Sequence, residues 1–155
     1  MGYPKSNIWK HYLGTTQHKL WVAFFICGFI CKLIKRAFKH DLSKYSMEES
    51  RGFFQVIGKL KDLTYGSPEY NETLAVIKPS IDKHYAKNSH HPEHHKEGIS
   101  GFDLIDLIEM WADWKSAVRR HADGNIFKSI AYNKDRFKMG DVLPGILESS
   151  AKKNV

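Results

Sequence analysis

Apolar positions recur at three- and four-residue spacing along most of the chain, and alternation of strand type is absent. The strongest apolar stretch runs from Thr16 to Phe38, with Gly28 as a candidate break. Ser46-Met47-Glu48-Glu49 has the form of a capping box and predicts a helix from there to about Leu63. Phe53, Phe54, Val56, Ile57 and Leu60 would face inward from it. Tyr65-Gly66-Ser67-Pro68 reads as a turn, with Ser67 as N-cap and Pro68 at the first helical position. The next helix runs towards Asn88 with a kink at Pro79, and His90 to Gly101 is a loop. Phe102 to about His121 is the clearest helix, with Leu104, Ile105, Leu107, Ile108, Trp111 and Val118 as core candidates, ended by Asp123-Gly124. One or two short helices, broken at Gly140 and Pro144-Gly145, close the chain. The pattern predicts an all-α fold with one domain over residues 1–155, since no internal repeat, low-complexity tract or linker interrupts it.

The run Leu20 to Cys31 invites a membrane reading, but it falls short of the roughly 20 apolar residues that a span requires. A core helix is the expectation, with no membrane partner. Contact with a membrane interface through the basic residues that follow is the minor alternative. Cys27 and Cys31 lie within this run and read as small buried hydrophobes on one helix face. Nothing suggests a disulfide framework, so the cytoplasm is the expected compartment. Composition adds less. Hydrophobic content of 42% and charged content of 26% are ordinary globular usage and argue against disorder. The net charge of +7 favours an anionic partner. The cations are scattered along the sequence rather than gathered in one block, so a dedicated nucleic-acid surface is not favoured.

Histidine placement changes the picture. Five of the nine histidines fall between His84 and His95, and His40 stands beside Asp41. Histidine is the commonest metal ligand, and His40-Asp41 offers an imidazole and a carboxylate from one turn. His18 lies 22 residues before His40. In one unbroken helix those two would be about 33 Å apart, so sharing a metal requires a helical hairpin broken near Gly28. Asp106, Glu109 and Asp113 share one helical face, which is ordinarily solvated. Asp113, however, lies between Trp111 and Trp114, and a carboxylate in such surroundings needs a metal or a lysine as partner.

The order His18, His40-Asp41, Asp113 resembles the signature of the HD-domain superfamily of metal-dependent phosphohydrolases. His40-Asp41-Leu42-Ser43-Lys44 is similar to that family's His-Asp-x-Gly-Lys, with Ser43 in the glycine's place. Binuclear members add a histidine and then a His-His pair, and His84 and His90-His91 stand in that order here. His90-His91-Pro92-Glu93 followed by Gly98 looks a little like the cyclic-dinucleotide phosphodiesterase branch. The later Gly-Tyr-Pro of that branch is missing, so its substrate does not carry over. Residues 18 to 118 also resemble a small uncharacterised phage and bacterial family with His…His-Asp-Leu-Ser-Lys, then Asn-x-His-His, then an Asp-Trp helix.

The resemblance implies a helical bundle of the HD type that hydrolyses a phosphate-containing small molecule, in particular a nucleotide or cyclic nucleotide. It implies two divalent metal ions (Mn, Fe, Zn, Ni or Mg). The first would be held by His18, His40, Asp41 and Asp113. Asp41 would bridge to the second, held by His84, His90 and His91. Lys44 would contact phosphate, and Glu109 or Glu93 would orient a ligand or shuttle a proton. His94 and His95 would be loop residues; His11 and His121 belong to no pattern. The alternatives are a non-enzymatic helical protein that binds metal or nucleotide, such as a phage host-interaction factor, and a basic nucleic-acid-binding protein. Phage origin would put the protein in the host cytoplasm.

Overall fold

The computed structural model describes residues 5–64, 66–120 and 124–153. Among these residues lie seven α-helices: α1 (Lys5–Lys39), α2 (Met47–Leu60), α3 (Pro68–Val76), α4 (Lys78–Lys87), α5 (Leu104–Val118), α6 (Ile126–Phe137) and α7 (Val142–Lys152). Short 3-10 turns lie at Leu42–Tyr45, Pro92–His94 and Gly98–Gly101, and no strand is present among the described residues. The all-α expectation holds. The chain divides into two compact units, Met1–Phe38 and Lys39–Val155.

The first unit departs from expectation. Helix α1 continues through Gly28 without a break. A lone glycine costs a helix only about 1 kcal/mol relative to alanine, which a helix of 35 residues tolerates. The hairpin is therefore not formed. Twenty-one residues of continuous helix separate His18 from Lys39, about 32 Å at 1.5 Å per residue. Nor is α1 a core helix, since Trp9, Leu20, Phe24, Phe25 and Phe38 are all exposed. Cys27 and Cys31 are exposed too, contrary to the buried reading.

In the second unit, α5, α6 and α7 supply a small core of Trp111, Ile130 and Leu147, packed against Trp114, Ile126, Leu143 and Ala151. Of the expected core positions, Val56, Ile105 and Trp111 are buried, whereas Phe54, Ile57, Leu104 and Ile108 are exposed. Pro144 is buried in the first turn of α7 instead of breaking it, because a proline there removes only an amide that has no helical partner. The expected kink at Pro79 is a full break two residues earlier, where Ile77 closes α3 and precedes α4. Ser67 caps α3 as expected, accepting from the Tyr70 amide at 3.1 Å. Helix α5 ends at Val118, while the expected stop at Asp123 falls outside the described residues.

Contact between α2 and α4 positions much of the site. Glu49, Gly52 and Val56 lie on one face of α2 at i, i+3 and i+7, and all three are buried. A Cβ on Gly52 would lie 2.3 Å from Ser80 Oγ. Glycine at that position lets α4 come close enough for His84 to meet Glu49. Gly52→Ala should therefore cost about 1–3 kcal/mol through overpacking. Gly58→Ala, on the same helix with nothing within 4 Å of an added Cβ, should instead be neutral or stabilising by up to about 1 kcal/mol. Chemical denaturation of both variants checks the pair; equal effects would contradict the close approach.

Candidate metal centre

Asp41 follows the end of α1 in the left-handed conformation, at φ 56° and ψ 16°. Aspartate tolerates that region better than most side chains, at a cost of about 1–2 kcal/mol. The turn ends the helical path and introduces the 3-10 turn that carries Ser43 and Lys44. His84 sits in the last turn of α4. Just beyond it, the short loop 88–91 supplies His90 and His91, and α5 contributes Glu109 and Asp113.

Two buried carboxylates set the orientation of the imidazoles. Glu109 Oε1 accepts from His40 Nδ1 at 2.9 Å and lies 3.1 Å from His90 Nδ1. Glu49, fully buried on α2, accepts from His84 Nδ1 at 3.0 Å. With each Nδ1 occupied, the Nε2 atoms turn towards Asp41 and one another. His84 Nε2 lies 3.3 Å and His90 Nε2 3.6 Å from Asp41 Oδ1. His40 Nε2 lies 3.4 Å from Asp41 Oδ2 and 3.6 Å from Asp113 Oδ1. His84 Nε2 and His91 Nε2 are 2.9 Å apart.

Two groups of candidate ligands result: Asp41, His84, His90 and His91, and His40, His90 and Asp113. In each group the ligand atoms lie within 4.8 Å of one another. Asp41 Oδ1 and His90 Nε2 are buried and lack a hydrogen-bond partner. Such orphaned atoms are rare and costly, and a cation at their meeting point would satisfy both. Mixed imidazole and carboxylate donors suit Mn, Fe, Zn or Ni.

Without a metal, the carboxylates of the cluster draw positive charge to it. Asp113 and Glu109 hold the His40 imidazolium against desolvation and push its pKa up to about 10. Burial alone would raise the Asp41 carboxyl. The nearby His84 imidazole and the Lys44 charge outweigh it and keep the group well below the usual carboxylate range. Burial, with His90 and His84 nearby, lowers His91 to about 3, so its ring is neutral with a lone pair to donate. Asp113 is lowered as well: burial opposes this, and the neighbouring His40 imidazolium prevails.

Of the residues singled out from sequence, His40, Asp41, His84, His90, His91 and Asp113 converge. His18 is exposed on α1 and belongs to neither group. Lys44 ion-pairs with Asp41. Glu93 pairs with Arg136 at 2.5 Å instead of with a metal ligand. His94 and His95 are tied to the backbone oxygens of Tyr85 and Ser89, each at 2.9 Å. The acidic face of α5 is not solvated, since Asp106 and Glu109 are both buried.

From sequence, Glu49 reads as part of a capping box with Ser46. Ser46 does precede α2, but its side chain makes no capping bond. Glu49 turns to His84 and to Ser43, whose hydroxyl donates to it at 2.8 Å. Asn88 Nδ2 donates to Ser43 Oγ at 2.7 Å and to the His84 carbonyl at 2.8 Å. Ser43, standing where the HD pattern has glycine, is thus a structural link between Glu49 and Asn88. No local signal marks Glu49, because its partner lies 35 residues away.

These features define an all-α protein with a clustered set of histidines and aspartates able to chelate a metal ion. The chain belongs to the family DUF5662, a family of unknown function, whose model matches residues 7–153. No curated protein and no solved structure matches it.

Two predictions follow from the orienting carboxylates. Glu49→Gln and Glu109→Gln should each weaken metal affinity about 10–100-fold, measured by competition with a chromophoric chelator; unchanged affinity would remove the orienting role. In metal-free protein, the folded pKa of His40 exceeds its ordinary value of 6.5. Its contribution to stability is therefore complete below pH 6.5 and is lost as pH rises through about 10. Denaturation in chelator should show wild type losing stability across that window and His40→Gln losing less; parallel curves would contradict the pairing.

Proposed function

We propose that this protein binds divalent metal through His40, Asp41, His84, His90, His91 and Asp113, and that the loaded centre hydrolyses a phosphate ester of a nucleotide. The convergence of the Nε2 atoms on the orphaned Asp41 Oδ1 carries the metal reading. Asp41 is the residue suited to bridge two ions, since one oxygen faces His84 and His90 and the other faces His40. When bound, such ions supply Lewis acidity, polarising a phosphoryl oxygen and acidifying the attacking water. The similarity of His40-Asp41-Leu42-Ser43-Lys44 to the HD signature supports the hydrolytic step.

A cavity of about 250 Å³ supports a small-molecule ligand, because Lys44, His91 and Asp113 line it together with Tyr85, Tyr132 and Arg136. Lys44 would hold a phosphate oxygen by its charge. Glu49 and Glu109 keep the imidazoles in their ligating orientation throughout. A second reading, a metal-binding protein without catalysis, is supported by Lys44, since the cation offered to phosphate is ion-paired with Asp41.

The test is metal content of protein purified without a histidine tag, followed by turnover of nucleoside monophosphates, triphosphates and cyclic nucleotides with Mn, Co, Ni and Mg. Asp41→Asn is the informative variant, because asparagine also tolerates the left-handed backbone. Wild type should carry metal, and Asp41→Asn and Asp113→Asn should both lose it. Turnover should fall roughly a hundredfold or more in each. Metal without turnover on any pair selects the second reading. Wild type without metal, and indifferent to chelator, overturns both.

A further inference from the structure

Helix α1 contains seven Lys and Arg residues and no Asp or Glu. That surplus equals the net charge of the entire chain, +7, so residues 40–155 are neutral in sum. The same helix carries thirteen large apolar side chains that are exposed, from Ile8 to Phe38. Isolated exposed hydrophobes are ordinary on a protein surface, but a continuous set of this size marks an interaction surface.

We propose that α1 lies on the surface of a lipid bilayer containing anionic phospholipid. At 100° per residue, Lys10, Lys32, Lys35, Arg36 and Lys39 fall within an arc of about 100°. Trp9, Tyr12, Leu20, Ile30, Ile34 and Phe38 occupy an arc on the opposite side, and all six are exposed. A basic arc opposed to an aromatic and aliphatic arc is the pattern of a helix lying in the interfacial plane. Lys19 falls outside the basic arc, where its long stem can follow apolar surface while the ammonium returns to the headgroups.

Between Lys19 and Lys32 the belt Leu20–Cys31 is uncharged on every side. It spans about 18 Å of helix, well short of the roughly 30 Å hydrocarbon core, and no helix among the described residues is long and apolar enough to cross a membrane. The belt therefore sinks below the headgroups without spanning. Charge selects this occupant over the others. Pairing α1 with the α1 of a second copy would bring two wholly cationic helices together, and a nucleic acid would neutralise the basic arc but leave the apolar arc in water. Anionic phospholipid meets both arcs at once, each cation near the surface contributing about a factor of five in binding.

The inference does not rest on the metal centre, and it is tested with the full chain. Flotation with phosphatidylcholine vesicles, with and without phosphatidylglycerol, reads binding directly. An environment-sensitive dye on Cys27 and Cys31, the chain's two cysteines and both exposed, reads insertion of the belt. Wild type should float with the anionic vesicles, and the dye should shift to the blue. K32Q/K35Q/R36Q should bind on the order of a hundredfold more weakly, and F24S/F25S should lose the dye shift, with helicity of both variants checked by circular dichroism. Equal binding to neutral vesicles would overturn the proposal. So would failure to float, whether the protein instead sediments as a dimer that hides the dye or captures duplex DNA.

Discussion

The arrangement of the second unit depends on two carboxylates taken out of water. Glu49 and Glu109 are buried at 0% and 9% exposure, each against imidazole Nδ1 atoms. A buried carboxylate without a partner is strongly destabilising, so these two hold the histidines as firmly as the histidines hold them. The consequence is directional. Once Nδ1 is committed, the Nε2 atoms of His40, His84 and His90 turn towards Asp41 and Asp113, where the His91 ring joins them. Gly52 belongs to the same constraint, because a side chain there would separate α2 from α4 and part Glu49 from His84.

Much of this centre was legible in the order of its ligands. His40-Asp41, His84, His90-His91 and Asp113 were each identifiable from residue type and spacing, because metal-ligating side chains are few and their clustering is uncommon. The orienting layer was less legible. Glu109 stood out only through its place on the face of Asp113. Glu49 resembled an ordinary helix cap, and its real partner is reached only through folding. Helix classes followed from periodicity, but faces did so less well. Phe54 and Ile57 on α2, like Leu104 and Ile108 on α5, have the right spacing for a core and lie exposed. Apolar spacing places residues on one face without saying what covers that face.

Helix α1 shows the same limit most strongly. Its apolar run suggests a core helix, yet the run is exposed; a metal shared by His18 and His40 required a break near Gly28 that the helix does not make. Glycine permits a break, but nothing in the local sequence compels one. With α1 continuous, all the net charge and half of the large exposed hydrophobes are gathered on a single element. The metal-ligating chemistry lies in the neutral remainder. The chain thus separates a surface suited to anionic lipid from a centre suited to a divalent ion.

Anomalous diffraction at the absorption edge of the metal that copurifies with untagged protein tests the central claim most directly. The account predicts a peak bounded by Asp41 Oδ1 and the Nε2 atoms of His84, His90 and His91, or by His40, His90 and Asp113, with every ligating imidazole bound through Nε2. A peak at His94 and His95, ligation through Nδ1, or crystals without any anomalous site would contradict it.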